Sequence, residues 1–109
     1  VVKTNICIFP NTLGAGLQIM HPGFRRVDIM VRGGDNCTLL PLVLFGKKRP
    51  GEKGTIIMGD NCYVGTGATI LGPVRIGSNV TIAAGAVVID DIPDNCIVGG
   101  VPAKIIKYK

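Results

Sequence analysis

Between Met58 and Pro93 the chain keeps a beat of six residues, in the hexads MGDNCY, VGTGAT, ILGPVR, IGSNVT, IAAGAV and VIDDIP. The first place of each is a medium aliphatic: Met58, Val64, Ile70, Ile76, Ile82 and Val88. The fifth is small or aliphatic: Cys62, Ala68, Val74, Val80, Ala86 and Ile92. A period of six matches neither the helix, near 3.6, nor simple strand alternation, near 2. A short fixed period marks a solenoid. Each hexad then predicts one short extended side, with its first residue inward and its fifth packed near a corner. Gly, Asn and Asp recur between these places, and they tolerate the positive φ of a tight corner. Three hexads, roughly eighteen residues, close one triangular coil, and coils stack at about 4.8 Å. Val64 is expected against Ile82, and Ile70 against Val88.

Upstream the beat runs in another phase: VDIMVR from Val27, then GGDNCT, LLPLVL and Phe45. Gly33 stands there where an aliphatic is due. LGAGLQ and IMHPGF start at Leu13 and Ile19, with two extra residues near Phe24–Arg26. GKKRPGEKGTI breaks the inward pattern and predicts a protruding loop near 46–57. The wall is expected to end after Pro93, leaving AKIIKYK as a short C-terminal tail. The fold class is therefore all-β, a triangular parallel β-helix forming one domain over 1–109. A start at Val1 rather than Met leaves room for residues upstream.

Composition narrows the picture. Hydrophobic residues make up 47% of the chain, but aromatics only 5% and tryptophan none, so the interior is built from Val, Ile, Ala and Cys. The longest apolar run, Leu39–Phe45, is far short of the roughly 20 residues that span a bilayer, and the stretch VVKTNICIFP lacks the charged-then-apolar order expected of a signal peptide. No membrane partner is expected. Four cysteines occur without a CxxC pair. Cys37 and Cys62 hold the fifth place of GDNC steps, which reads as small buried hydrophobes and a reducing, cytoplasmic setting. The net charge of +5 is concentrated at Lys47, Lys48, Arg49 and Lys53 in the loop and at Lys104, Lys107 and Lys109 in the tail. Such clusters gather polyanions. Without aromatic platforms or a recognition helix, nucleic acid is not the expected partner, and a phosphorylated small molecule fits better.

Hexads of the form aliphatic-Gly-x-x-small-x, taken with GLQIMHPG, GDNCTLLPLVLFGKKRPG, GDNCYVGTGATILGPVRIG and GGVPAKII in that order, resemble the hexapeptide-repeat acyltransferases. Within that superfamily the chain is similar to the serine acetyltransferase branch and its capsule and surface-polysaccharide relatives. The resemblance implies a left-handed coil, a homotrimer with active sites between subunits, acetyl-CoA as co-substrate and no metal. It also implies that His21 is the general base. A hydroxyl is a poor nucleophile until a base takes its proton, and a neutral imidazole suits that step. His21 is the only histidine. The γ-class carbonic anhydrases share the coil but need three histidines for zinc, which this chain cannot supply.

The pattern also departs from that branch. The Asp that pairs with the histidine falls on Ile6, beside Asn5, and Met20 replaces the Asp just before the histidine. Lys48-Arg49-Pro50 replaces an Arg-His-Pro triplet, which puts Arg49 at the acceptor. By the same resemblance Gly65, Gly67, Ala68, Ala83, Ala84 and Gly85 let pantetheine approach the backbone, and Lys47, Lys48 and Lys104 face the CoA phosphates. The acceptor is L-serine or, in the alternative, a sugar hydroxyl. A non-catalytic β-solenoid scaffold is the other alternative.

Overall fold

A computed structural model describes residues 13–19 and 30–109 in full, and residues 2–3, 6–8 and 25–27 by their backbone pairing alone. The Val, Ile and Thr of the hexads favour a pleated, half-buried backbone. The glycines and asparagines between them cut that backbone into strands of two to five residues. The strands form three sheets, one per side of the coil.

Sheet A holds β1 (Val2–Lys3), β2 (Ile6–Ile8), β4 (Arg25–Val27), β7 (Leu44–Lys47), β10 (Thr69–Gly72) and β13 (Val87–Val88), in that order. Sheet B runs β3 (Gln18–Ile19), β6 (Thr38–Leu39), β9 (Tyr63–Val64), β12 (Thr81–Ile82), β14 (Cys96–Gly99) and β15 (Lys104–Tyr108). Sheet C holds β5 (Val31–Arg32), β8 (Ile56–Met58) and β11 (Val74–Ile76). All pairs are parallel except β1–β2 and β14–β15. The expected stacking is present: Val64 pairs with Ile82, and Ile70 with Val88.

Every first and fifth residue of the six central hexads is buried. Each such Val or Ile contributes about 1.5–3 kcal/mol relative to an exposed side chain. Phe45 is the largest fully buried side chain in a column otherwise made of aliphatics, with Ile70 directly paired to it. Gly33 also has its explanation. A Cβ there would strike the Leu13 side chain, which comes from the preceding coil and packs against the core. Leu13 fills the space that an aliphatic at 33 would have taken.

The corner from sheet C to sheet B is turned by Asn36, Asn61, Asn79 and Asn95, all with φ of 57 to 59°. Asparagine is the commonest residue after glycine to adopt this left-handed backbone. Beside them runs a ladder of side-chain acceptors. Ala15 N donates to Asp35 Oδ1 (2.9 Å), Asp35 N to Asp60 Oδ1 (2.8 Å), Asp60 N to Ser78 Oγ (3.0 Å) and Ser78 N to Asp94 Oδ1 (2.8 Å). Each coil thus receives a backbone donor of the coil before it.

Past the first coil, chain length varies at one corner only. From sheet C to sheet B the spacing is constant: Val31 to Thr38, Ile56 to Tyr63, Val74 to Thr81. From sheet B to sheet A it is constant on the later coils, Leu39 to Leu44, Val64 to Thr69 and Ile82 to Val87, while the first coil is two residues longer, from Ile19 to Arg26. The corner from sheet A to sheet C differs on each of these later coils. The chain goes from Leu44 to Ile56 through a long excursion, from Thr69 to Val74 directly, and from Val87 by a shorter path that brings Ile92 beneath Ile76.

Three expectations need correction. The loop expected near 46–57 is narrower, because Gly46 and Lys47 belong to β7, and Ile56 is a fully buried core residue of β8. The excursion is 48–55; Ile56 was hidden because it keeps the phase of the hexads after it, one residue out of step with those before it. The wall does not end at Pro93: β14 continues sheet B, with Cys96 and Val98 buried. The tail is a strand, β15, which pairs antiparallel with β14 and covers the last edge of sheet B.

Cys37, Cys62 and Cys96 are free and buried, in one column with Val80. Cys37 Sγ and Cys62 Sγ each lie 3.7 Å from the Gly59 carbonyl oxygen. The hydrogen bond to Cys37 and burial push the Cys62 thiol up, and burial does the same to Cys96. Unfolded thiols ionise near pH 8.5, about where a free cysteine does. The folded Cys62 and Cys96 thiols keep their protons past that point, so their contribution to stability is present below it and lost as pH rises above it, whereas Cys37, held down to about 7 by its hydrogen bond with Cys62, works the other way only up to about pH 8.5. The melting temperature should therefore fall between pH 8 and 10. A Cys62→Val/Cys96→Val protein, matching the Val80 already in the column, should show a smaller fall in a pH series of thermal melts.

Candidate active site

The corner from sheet B to sheet A is built from repeated tight turns. Ala68 N donates to Gly65 O (3.1 Å) and Ala86 N to Ala83 O (3.2 Å), with Gly67 at φ 73° and Gly85 at φ 72° in the third place of each turn. That place of a type II turn requires a positive φ, which glycine adopts without a Cβ clash. A Cβ added at Gly67 or Gly85 would meet nothing within 4 Å. The two glycines therefore leave an open furrow along the corner, one coil above the other. Gly100, at φ 95°, is level with Ala84 where the chain turns back into the antiparallel strand that ends sheet B, and the turn below the two glycines carries Leu42 at φ 65°.

The excursion 48–55 stands at the opposite edge of sheet A. Lys48 N donates to Gly72 O (2.9 Å), and Lys48 Nζ donates to Pro73 O (3.2 Å), which fastens the loop to the coil above. Arg49 is largely exposed and sits 3.7 Å from Glu52 Oε1. An exposed pair of that kind is worth well under about 1 kcal/mol and leaves the guanidinium available. Between the two edges, on the outer face of sheet A, lies a groove of about 510 Å³ lined by Met30, Leu44, Gly46, Lys47, Arg49, Pro50, Thr69 and Leu71. Its floor is apolar and its loop edge is basic. The four residues of β7 separate the glycine corner from the loop by about 10 Å.

The expected site residues divide accordingly. Gly67, Ala84 and Gly85 share the furrow, and Ala83 stands beside it. Lys104 is exposed at the start of β15, opposite Gly99, so it lies near the upper end of the same corner. Lys47 and Arg49 meet in the groove. Three residues have other work. Gly65 is buried, and a Cβ there would fall 2.6 Å from Ala84 N, so the stacking of the next coil accounts for it. Ala68 is fully buried, and its carbonyl accepts from Leu44 N (3.1 Å), so neither side chain nor backbone is open to a ligand. The Lys48 ammonium is engaged by Pro73. His21, Met20 and Asn5, and the side chain of Ile6, lie outside the described residues.

Leu44, Thr69 and Leu71 were not singled out from the sequence. Outward leucines on β7 and β10 were the available signal, because the outer face of a coil is elsewhere mostly polar. Among the described residues, no group of three or more His, Cys, Asp or Glu side chains could hold a metal ion.

Comparison with known proteins agrees with the geometry. The family profile described as bacterial transferase hexapeptide (six repeats) matches residues 55–90. A serine acetyltransferase of Synechococcus elongatus is 35% identical over 105 residues, which is 94% of this chain and 43% of that protein. One from Mycobacterium tuberculosis is 33% identical over 107 residues, 96% of this chain and 47% of that protein. The crystal structure of Neisseria gonorrhoeae serine acetyltransferase superposes with a TM-score of 0.86 at 36% identity, covering 95% of this chain and 41% of that one. The same enzyme in complex with serine gives a TM-score of 0.83 at 37% identity, covering 92% of this chain and 42% of that one. The coil is accordingly the left-handed β-helix. The chain spans less than half the length of the curated relatives it matches.

Proposed function

The chain belongs to the hexapeptide-repeat transferases, on their serine acetyltransferase-like branch, and from that premise we propose that it is an acetyl-CoA-dependent O-acetyltransferase. The observation that carries the reading is the open glycine furrow beside a groove with a basic edge. A linear pantetheine arm can lie against Gly67 and Gly85, where no Cβ intervenes, and exposed lysines stand near for phosphates. The Neisseria relative bound to serine supports L-serine as acceptor. The Arg49 side of the groove supports an acceptor with a carboxylate, which a guanidinium grips well.

In the reaction, His21 takes the proton of the acceptor hydroxyl as its oxygen attacks the thioester carbonyl carbon. The C–S bond of the tetrahedral intermediate then breaks. The departing sulfur receives that proton from the imidazolium, giving the O-acetyl ester and free CoA thiol. Assembly as a homotrimer is part of this reading, with the weakly charged outer faces of the coil against neighbours. The free thiols among the described residues support a reducing, cytoplasmic setting.

The test is release of free thiol from acetyl-CoA with L-serine in one reaction and a panel of sugars in others. Thiol release with serine is expected. Turnover only with a sugar would move the acceptor and keep the chemistry. No turnover with any acceptor, together with no acetyl-CoA binding by calorimetry, would leave a scaffold and overturn the reading. Arg49→Ala should raise the acceptor KM about tenfold with kcat little changed, since a hydrogen bond to a charged group is worth about 1.5–3 kcal/mol. Steady-state kinetics with varied acceptor checks it.

A further inference from the structure

We propose that Cys37 and Cys62 form a redox pair, which hydrogen peroxide converts into a reversible disulfide that closes one coil. Neither thiol takes part in the transferase reading above. The two residues hold the same place on successive coils. Thr38 pairs with Tyr63 in the parallel ladder of sheet B, and Thr38 N donates to Cys62 O (2.9 Å), so Cys37 stacks directly on Cys62. Each is 1% exposed, and both sulfurs lie 3.7 Å from the Gly59 carbonyl oxygen. The Cys62 thiol is hydrogen-bonded to the Cys37 sulfur.

Stacked strands hold such Cα atoms about 4.8 Å apart, inside the roughly 4.4–6.8 Å that a disulfide bridges. Among the described thiols no other pair meets that limit. Val80 stands between Cys62 and Cys96, which leaves those two about 9.6 Å apart. The Cβ atoms of stacked partners stay near the strand spacing, about 1 Å wider than the roughly 3.8 Å of a relaxed disulfide. The bridge therefore carries strain. A strained disulfide is readily reduced, which is the labile, regulatory kind rather than the structural one.

The chemistry has an ordered start. The Cys62 hydrogen bond holds the Cys37 thiol down to about 7, so its sulfur is largely thiolate near neutral pH. That thiolate attacks one peroxide oxygen, the O–O bond breaks, and the hydroxide released takes up a proton as water. Cys37 is then a sulfenic acid. The Cys62 sulfur attacks the Cys37 sulfur, the S–O bond breaks, and the leaving hydroxide takes the Cys62 proton. Two thiols and one peroxide give one disulfide and two waters. Both sulfurs are buried, so the oxidant reaches them during local openings of the corner. The bridge would tie together the two ends of the coil that carries β6, β7, the excursion 48–55 and β8.

Folded wild type, Cys37→Val and Cys62→Val would be exposed to hydrogen peroxide, then alkylated and mapped by peptide mass spectrometry. The wild type should lose two thiols and yield a Cys37–Cys62 cross-linked peptide pair that dithiothreitol separates. Cys62→Val should stop at a sulfenic acid on Cys37, which dimedone traps. Cys37→Val should slow the oxidation of Cys62 by about tenfold or more, because a thiol without that partner is mostly protonated at neutral pH. Loosened packing in that variant would speed the reaction instead, so slowing reports the chemistry and not damage to the fold. Sulfinic acids on both residues without a cross-link overturn the proposal. So does a bridge that forms only in urea, or one that joins either residue to Cys7 or Cys96. Equal oxidation of Cys62 with and without Cys37 overturns it as well.

Discussion

His21→Ala should lower kcat/KM for acetyl transfer by about a hundred- to ten-thousandfold, the range that removal of a general base covers. The hydroxyl of an amino acid or sugar stays protonated at neutral pH and attacks a thioester slowly by itself. No other imidazole exists in the chain to take over the proton. The loss should fall on kcat, with the KM for acetyl-CoA little changed, because the furrow and the exposed lysines that would hold CoA are untouched. Thiol-release kinetics measure both constants. The variant should melt with the wild type, which separates lost chemistry from lost structure. Retention of more than about a tenth of wild-type kcat would remove His21 from the mechanism.

Phe45→Ala should cost about 3–5 kcal/mol of stability, as truncation of a buried phenylalanine does. Phe45 is 2% exposed and lies in the wall with Ile70 on the next coil. A coil stack has little freedom to collapse around a void, because each strand is hydrogen-bonded into ladders on both sides. Leu44 and Gly46 flank Phe45 on β7 and line the groove, so the vacancy also loosens the groove floor. Urea unfolding should show a lower midpoint with an unchanged slope. At roughly 4–8 °C per kcal/mol for a chain of this size, the melting temperature should drop by well over about 10 °C. A drop of a degree or two would mean that the ring is not packed as described.

Much of the coil was legible because a solenoid asks one question of each inward position, and the hexads answer it with a β-branched or small aliphatic residue every time. All of the central inward residues, Met58 to Ile92, are buried as the beat requires. The errors fall where the beat slips. Ile56 re-enters the wall after a loop of arbitrary length, so its phase could not be read from the hexads before it. The last coil is shortened before Ile92, which hid β14, and β15 pairs antiparallel, a relation that no six-residue period encodes. Gly33 looked like a defect because its replacement, Leu13, comes from another coil.

The site was read less completely for a related reason. Glycine has two uses in this fold, and sequence alone does not separate them. Gly65 and Gly67 are neighbours in one motif, yet the first yields to the backbone of the next coil and the second faces open space. Lys48 and Arg49 are likewise adjacent, but one fastens the loop and the other lines the groove.

The confinement of length variation past the first coil to the corner between sheets A and C has a consequence for how this architecture can diversify. Two of the corners act as a fixed gauge, holding strand register however long the third path becomes. A segment of almost any size can be spliced in after Lys47 and before Ile56 without sliding a single pair in the ladders on either side. Replacing 48–55 with a foreign loop should therefore leave the fold standing while exchanging one wall of the groove. The scaffold and the part that chooses the acceptor can then change on separate evolutionary clocks.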